Sequence, residues 1–304
     1  MRTKIVYVLV SSDDDLYLEQ AFLSVYSLKM YSPDTSVELI VDKVTDNTLI
    51  NGRSSFLQYF SNKIVVDVPD EYKGTSSSRW LKTNLRNIVD GDYLYVDTDT
   101  IIVDNLEAVD ALNGDICAVL DLHGPHLSKS ARKDHLRWSI RDGWTFSDTF
   151  PYYNSGVMLV KDTSISRHFY EEWHQRWLHA EKKYNFLLDQ SSLAATNEAQ
   201  GMLIHEMPGI WNCQLMYYGL PYFSNAKIIH HIDLLKLNSK CAWKFYNLQL
   251  YLAIKRNHTI SSEVDDMLRN VKTQFDIQSK IIGKEDINLL NSFGIRVLKR
   301  IGLF

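Results

Sequence analysis

The sequence predicts an α/β fold organised around a Rossmann-like, nucleotide-binding sheet, and three observations carry that expectation. Apolar, β-prone runs alternate with helix-compatible segments from the N-terminus onward. A fourth run, Tyr93–Val96, ends in Asp97-Thr98-Asp99. The loops 11–15 and 97–99 both follow strands, and open α/β sheets bind ligands beyond the carboxyl ends of their strands. No Gly-x-Gly-x-x-Gly and no Walker loop occurs, which counts against a dinucleotide or P-loop ATP site.

Residues 4–10 read as strand one, followed by the acidic loop Ser11–Asp15. Leu16–Met30 carries apolar residues at Leu18, Phe22, Val25, Tyr26 and Leu28, which is helical spacing. Val37–Val41 and Lys63–Asp67 are the second and third strands, giving a βαβ arrangement with parallel pairing. Ser76–Ile88 reads as a helix whose Arg79 and Lys82 reach the pocket at the end of the Tyr93–Val96 strand.

Asp97 and Asp99 are the central pair. If the strand continues, Thr98 points away and both acids share one face. Two adjacent anions on a buried strand end repel each other and resist desolvation. A hard divalent cation such as Mg²⁺ or Mn²⁺ removes that cost, keeping water or substrate phosphates as further ligands. A strand end whose acids face solvent or cap a turn is the plain alternative.

Ile116–Leu120 is another strand, with Asp121 at its carboxyl end. Residues 122–149 turn polar and basic around Trp138 and Trp144, the pattern of a lid or acceptor loop. Tyr152–Val160 reads as a short loop entering a strand, and Ser164–Ala180 as an aromatic-rich helix. Asp189-Gln190-Ser191 opens another helix, with Asp189 as its N-cap. Lys227–His231 is a strand ending in histidines.

Two units are expected, 1–233 and a helical C-terminal extension, 234–304. Within the extension, 242–272 and 285–304 have helical patterns. The 289–304 tail is cationic and apolar, and either packs on the domain or lies peripherally on an anionic membrane surface.

Composition narrows the class. The 304 residues are 45% hydrophobic, enough for a normal core. The net charge of −4 argues against a nucleic-acid partner. Cys117, Cys213 and Cys241 lie far apart, with neither zinc spacing nor a disulfide framework, so a reducing cytoplasm fits. The N-terminal apolar run reads as a strand rather than a signal peptide, and no stretch approaches the roughly 20 residues that span a bilayer.

Four segments, taken in order, resemble one family. They are Ser11–Tyr17, Arg79 ahead of Tyr95-Val-Asp-Thr-Asp99, Asn154-Ser-Gly-Val157, and Asp189-Gln190 ahead of Ile228-Ile-His230. Together, over about residues 4–233, they resemble glycosyltransferase family 8, the retaining sugar transferases that include glycogenin and bacterial lipopolysaccharide galactosyl- and glucosyltransferases. The resemblance implies a GT-A fold, that is a mixed Rossmann-like sheet flanked by helices. It implies a UDP-sugar donor, a glycan or glycolipid acceptor, and Mn²⁺ or Mg²⁺. The Asp-x-Asp motif is Asp97 and Asp99, and His230 completes the metal site, with His231 as the adjacent alternative. Ser11, Asp13 or Asp14, and Tyr17 match the loop that holds uracil and ribose. Arg79, and with it Lys82, meets the diphosphate or sugar; Thr98 sits between the metal-binding acids. Asp121, Asn154, Ser155, Asp189 and Gln190 match positions lining the donor sugar and the reacting carbon.

The sequence departs from the family after His230, where Gly and then Lys-Pro-Trp usually close over the diphosphate. Here Lys236, Lys240 and Trp243 are the candidates to replace them. For the retaining reaction, Asp189 is the carboxylate candidate for double displacement. The favoured route is same-face attack, with Asp189 holding donor hydroxyls. The rival reading is a haloacid-dehalogenase-like phosphatase, whose signature Val96-Asp-Thr-Asp-Thr100 also fits, with Asp97 as nucleophile and Asp99 as general acid. A non-catalytic sugar-nucleotide-binding protein is the third.

Overall fold

The computed structural model describes residues 1–124, 151–232, 234–237, 240–276, 282–283 and 292–302. The expected lid segment with Trp138 and Trp144 lies outside the described residues from Pro125 to Phe150.

Strands β1 (Lys4–Leu9), β2 (Val37–Asp42), β3 (Asn62–Val66), β4 (Tyr93–Val96), β6 (Ile116–Leu120), β7 (Tyr153–Val160) and β8 (Ile204–Glu206) form one sheet in the order β3-β2-β1-β4-β7-β6-β8. The four strands from β3 to β4 run parallel, as the N-terminal pattern predicts. The last part is mixed: β7 is antiparallel to both β4 and β6, and β6 is parallel to β8. A smaller sheet joins β5 (Thr100–Ile102), β10 (Ile228–His230) and β9 (Cys213–Gln214), with β10 in the middle.

Helices cover both faces of the large sheet. Alternate residues of β1 serve the two sides. Ile5, Tyr7 and Leu9 meet Leu18, Phe22 and Val25 of α1 (Tyr17–Tyr31). Val6 and Val8 meet Leu81 of α3 (Thr75–Thr83), Leu85 of α4 (Leu85–Ile88), and Phe169 and Trp173 of α5 (Ser164–Tyr184). Each such side chain contributes about 1.5–3 kcal/mol by leaving water.

Four local expectations change. First, β4 stops at Val96 and β5 begins at Thr100, so Asp97–Asp99 is a bend and not a continuing strand. The bend is held by Asp97 N–H donating to Gly156 O (2.7 Å) and Thr100 Oγ1 donating to Asp97 O (2.9 Å). Second, the cationic helix splits at Asn84 into α3 and α4. Third, Asn154-Ser155-Gly156 belongs to β7 and not to a loop, buried just beyond the stretch that pairs with β4 and opposite an irregularity in the pairing with β6. Fourth, Leu188 caps α6 (Asp189–Ala199), while Asp189 is its first helical residue and sends its side chain inward.

The chain after residue 234 shares this core. Helices Leu248–Asn257 and Ser262–Arg269 place Tyr251, Ile254 and Leu268 in the cluster that contains Leu18 and Phe22. Lys255 Nζ donates to Asp13 O and to Asp15 O (2.7 Å), tying the first helix of this pair to the loop after β1. The Phe293–Arg300 helix leaves Phe293 77% exposed. Among the described residues no helix is long and apolar enough to cross a membrane.

His174 ties α5 to α3: its Nδ1 lies 2.8 Å from Thr83 Oγ1 and its ring meets Trp80 edge-on. Burial pushes its pKa from 6.5 down to about 4. Between those values the unfolded chain holds a proton that the folded chain does not, so stability falls as pH drops from about 6.5 toward 4. Thermal midpoints measured across that range should show a shallower fall in His174→Gln than in wild type. An unchanged slope would remove His174 from the list of groups responsible.

Candidate active site

Five elements converge at the carboxyl end of β4. The middle and last turn of α3 bring Arg79 and Lys82, three residues apart and so on one helix face. The bend brings Asp97 and Asp99. Strand β7 brings Asn154, Ser155 and Gly156, the start of α6 brings Asp189 and Gln190, and β10 brings His230. A cavity of about 230 Å³ is lined by these side chains with Tyr152, Leu188 and Ile232.

Asp97, Asp99 and His230 can each place a ligand atom within 4.8 Å of the others. His230 Nε2 lies 3.1 Å from Asp99 Oδ1 and 4.0 Å from Asp97 Oδ2. Burial raises the cost of a charged Asp99, but His230 beside it holds its carboxyl well below the usual range. Burial likewise disfavours His230 as a cation, and Asp99 more than compensates, raising its pKa. Two carboxylates and one imidazole suit Mn²⁺ or Mg²⁺, so the residues present fit the ion. His231 points to the opposite face, where its Nε2 lies 2.9 Å from Tyr251 OH among Trp243 and Tyr246. Alternation along β10 thus separates the two histidines.

Gly156 makes this cluster fit. A Cβ there would collide with His230 Cε1 and lie 2.8 Å from Asp97 Oδ2. The glycine is needed for space, since its φ is not in the left-handed range.

Beside the cluster is a buried ion network. Lys82, 1% exposed, lies 3.2 Å from Asp97 Oδ1, 3.2 Å from Asp189 Oδ2 and 3.1 Å from Ser155 Oγ. Ser155 Oγ donates to Asp189 Oδ2 (2.7 Å). Arg79 Nε lies 3.1 Å from Asp189 Oδ1, an ion pair without hydrogen-bond alignment. Burial opposes charge on Asp189, yet Arg79 and Lys82 win and hold its carboxyl well below the usual range. Tyr95 OH donates to Asp97 Oδ1, and Lys82 Nζ sits 5.0 Å over the Tyr95 ring.

A polar row runs behind the cavity. Asn154 Nδ2 donates to Asp121 Oδ1 (2.9 Å) and lies 3.4 Å from Gln190 Oε1. Asn212 bridges Asn154 Oδ1 (2.9 Å) and His230 Nδ1 (3.0 Å). Asp121 is held in place by a turn in which Leu122 and His123 both take positive φ, 55° and 53°. Gln214 secures that turn by accepting from Leu122 N–H (2.9 Å) and donating to Leu120 O (3.0 Å).

A second cavity of about 530 Å³ adjoins the first through Arg79, Asp97 and Asp99. Ser11, Ser12, Asp15, Tyr17, Thr98 and Gly74 are among its lining. Asp15 rather than Asp13 or Asp14 faces this space, and it braces the loop by accepting from Ser12 N–H (2.7 Å) and Ser11 Oγ (2.7 Å). The Asp13 side chain is 80% exposed and paired with Arg53 at 3.3 Å. Asp14 is exposed as well. Lys240 is exposed and lines neither cavity. Trp243 is a core residue, its indole N–H donating to Val271 O (3.0 Å).

Sequence reasoning misses Asn212, Tyr95, Arg53 and Lys255. Tyr95 carries a faint signal, being two residues before Asp97 and on the same face of β4. The other three approach from remote parts of the chain and no local pattern marks them.

No protein-family model and no curated protein matches this sequence. Solved structures do. Mouse xyloside xylosyltransferase 1 in its apo form aligns with a TM-score of 0.51 at 17% identity, over 76% of this chain and 98% of that one. The galactosyltransferase LgtC in complex with donor and acceptor sugar analogs aligns at 0.54 and 14%, over 87% and 99%. The glycosyltransferase GlyE of Streptococcus pneumoniae TIGR4 aligns at 0.52 and 15%, over 91% and 66%. The fold is GT-A. In this GT-A chain the mixed sheet and the small sheet meet where Asp97, Asp99 and His230 converge.

Gly156→Ala should abolish stabilisation of the protein by Mn²⁺ while costing about 1–3 kcal/mol of intrinsic stability through overpacking. Thermal midpoints with and without the ion separate the two effects. An alanine variant with the full Mn²⁺ response would show that His230 does not need this space.

Proposed function

We propose that this protein is a retaining, metal-dependent glycosyltransferase that moves a hexose from a UDP-sugar to a glycan or glycolipid acceptor. The observation that carries the reading is the Asp97–Asp99–His230 cluster at the junction of two cavities, one walled by the loop after β1 and one by buried polar side chains. The larger cavity has room for a nucleoside, and the smaller for a sugar. Arg79 lines both and is placed to meet the linking diphosphate. Asp97, Asp99 and His230 would hold the divalent cation, which when bound neutralises the departing diphosphate.

The chain's own residues favour same-face attack. Both oxygens of Asp189 are committed, Oδ1 to Arg79 and Oδ2 to Lys82 and Ser155, so its charge is already spent. A carboxylate so stabilised is a weak nucleophile. It acts instead by fixing both cations and the edge of the sugar space. In the transfer, the acceptor hydroxyl oxygen bonds to the anomeric carbon, the carbon–oxygen bond to the diphosphate breaks on the same face, and the hydroxyl proton passes to a departing phosphate oxygen. Positive charge building on the sugar ring is met by the side-chain carbonyl of Gln190 on the cavity wall.

The setting in this reading is the synthesis of bacterial surface polysaccharide or lipopolysaccharide, supported by the motif order shared with lipopolysaccharide transferases. The phosphatase reading rests on the Asp97-Thr-Asp-Thr100 run alone. The contact of His230 with Asp99 has no part in it.

The reading is tested by thermal stability with UDP, Mn²⁺ and both. UDP should stabilise strongly only with Mn²⁺ present, by several degrees at saturating ligand, and Asp99→Ala should abolish the effect. No response to either would end the sugar-nucleotide proposal. Asp189→Asn should lower hydrolysis of the donor picked from a UDP-sugar panel at least 100-fold. Full activity in that variant would overturn the role given to Asp189.

A further inference from the structure

We infer that Asn212 is a positioning residue that fixes which nitrogen of His230 faces the ion, and that the order is set by the backbone of Gly156. The inference deepens the transferase reading and rests on it. It follows from one hydrogen whose place is certain. Gly156 N–H donates to the Asn154 side chain over 2.9 Å, so the atom it meets is the amide oxygen. Asn154's other amide atom is then its nitrogen, which matches its 2.9 Å contact with a carboxylate oxygen of Asp121, an acceptor. Asn212 reaches the same Asn154 oxygen over 2.9 Å and must present its nitrogen there. Its own oxygen is left facing His230 Nδ1 at 3.0 Å, so that nitrogen carries the hydrogen. Nε2, on the side of Asp97 and Asp99, is the nitrogen with the free lone pair once an ion displaces its proton.

Each member is buried: Asn154 is 3% exposed, Asn212 0% and His230 3%. Asn212 is fully enclosed and lines neither cavity, so water does not replace its two contacts and the row acts as a unit. It also joins two regions that the reaction uses together. Asn154 lines the cavity proposed for the sugar, while His230 belongs to the ion cluster. Asn212 is the link between them, and it lines neither cavity.

Two substitutions separate positioning from bulk structure. In Asn212→Leu the Nδ1 acceptor is gone. Mn²⁺ affinity, followed by the paramagnetic resonance of the free ion in the absence of any nucleotide, should fall 10–100-fold. In Asn212→Asp an oxygen still accepts from Nδ1–H, but the second oxygen opposes Asn154 Oδ1. Mn²⁺ affinity should stay within about threefold of wild type, while kcat for donor hydrolysis falls at least tenfold. If the leucine variant does not fold, this split in the aspartate variant decides. A wild type that binds Mn²⁺, with Asn212→Leu binding it equally well, overturns the inference alone. So does an aspartate variant that loses affinity and turnover together. A wild type that binds no divalent cation overturns the transferase reading with it.

Discussion

The constraint behind this architecture is the mutual repulsion of Asp97 and Asp99. Their oxygens can come within 4.8 Å of each other at a partly buried bend. At an effective dielectric of about 20 that repulsion is about 3 kcal/mol. The surroundings offset it from three directions: Lys82 from α3, His230 from β10 and Tyr95 from β4. Each of these partners is itself buried and costs energy unless the acids are there. The acids and their partners are therefore stable as a set and poor in isolation.

This mutual dependence explains the sheet arrangement. A single parallel sheet would bring helix and strand ends to the acids, but not His230. The small β5-β10-β9 sheet is the device that does so, because β5 begins one residue after Asp99 and pairs His230 with Thr100. The antiparallel insertion of β7 between β4 and β6 supplies the third side. It puts Asn154, Ser155 and Gly156 in buried positions beyond the last β4 pair and at the irregularity facing β6, where their polar groups turn to the site. Ser155 and Asp189 then close the charge balance around Lys82.

Much of this was legible in the sequence, and the reason differs from element to element. The buried strands β1, β2 and β4 announce themselves because a strand covered on both faces must be apolar throughout. The Asp97–Asp99 pair and His230 were readable because acids and histidine at the ends of such runs contradict their surroundings. Asp189 was readable as a helix start, but its inward direction was not. That depends on Arg79 and Lys82, more than a hundred residues earlier, drawing it away from the cap. The register of the loop after β1 is hidden for a similar reason. Asp13, Asp14 and Asp15 look alike in sequence, and which one turns inward is decided by Arg53 and Lys255. Asn212 had no local mark at all, since its role exists only through the two side chains it joins.

The tie between Lys255 and the carbonyls of Asp13 and Asp15 has a bearing on how the protein is made. The two ends of that tie are separated by 242 and 240 positions in the chain. A ribosome delivers the loop early and its fastener late, after nearly all of the sheet has been extruded. The loop that walls the larger cavity is therefore made long before the lysine that secures it. A polypeptide interrupted between the two would carry a charged, half-built pocket, and the wall closes only once Lys255 has emerged.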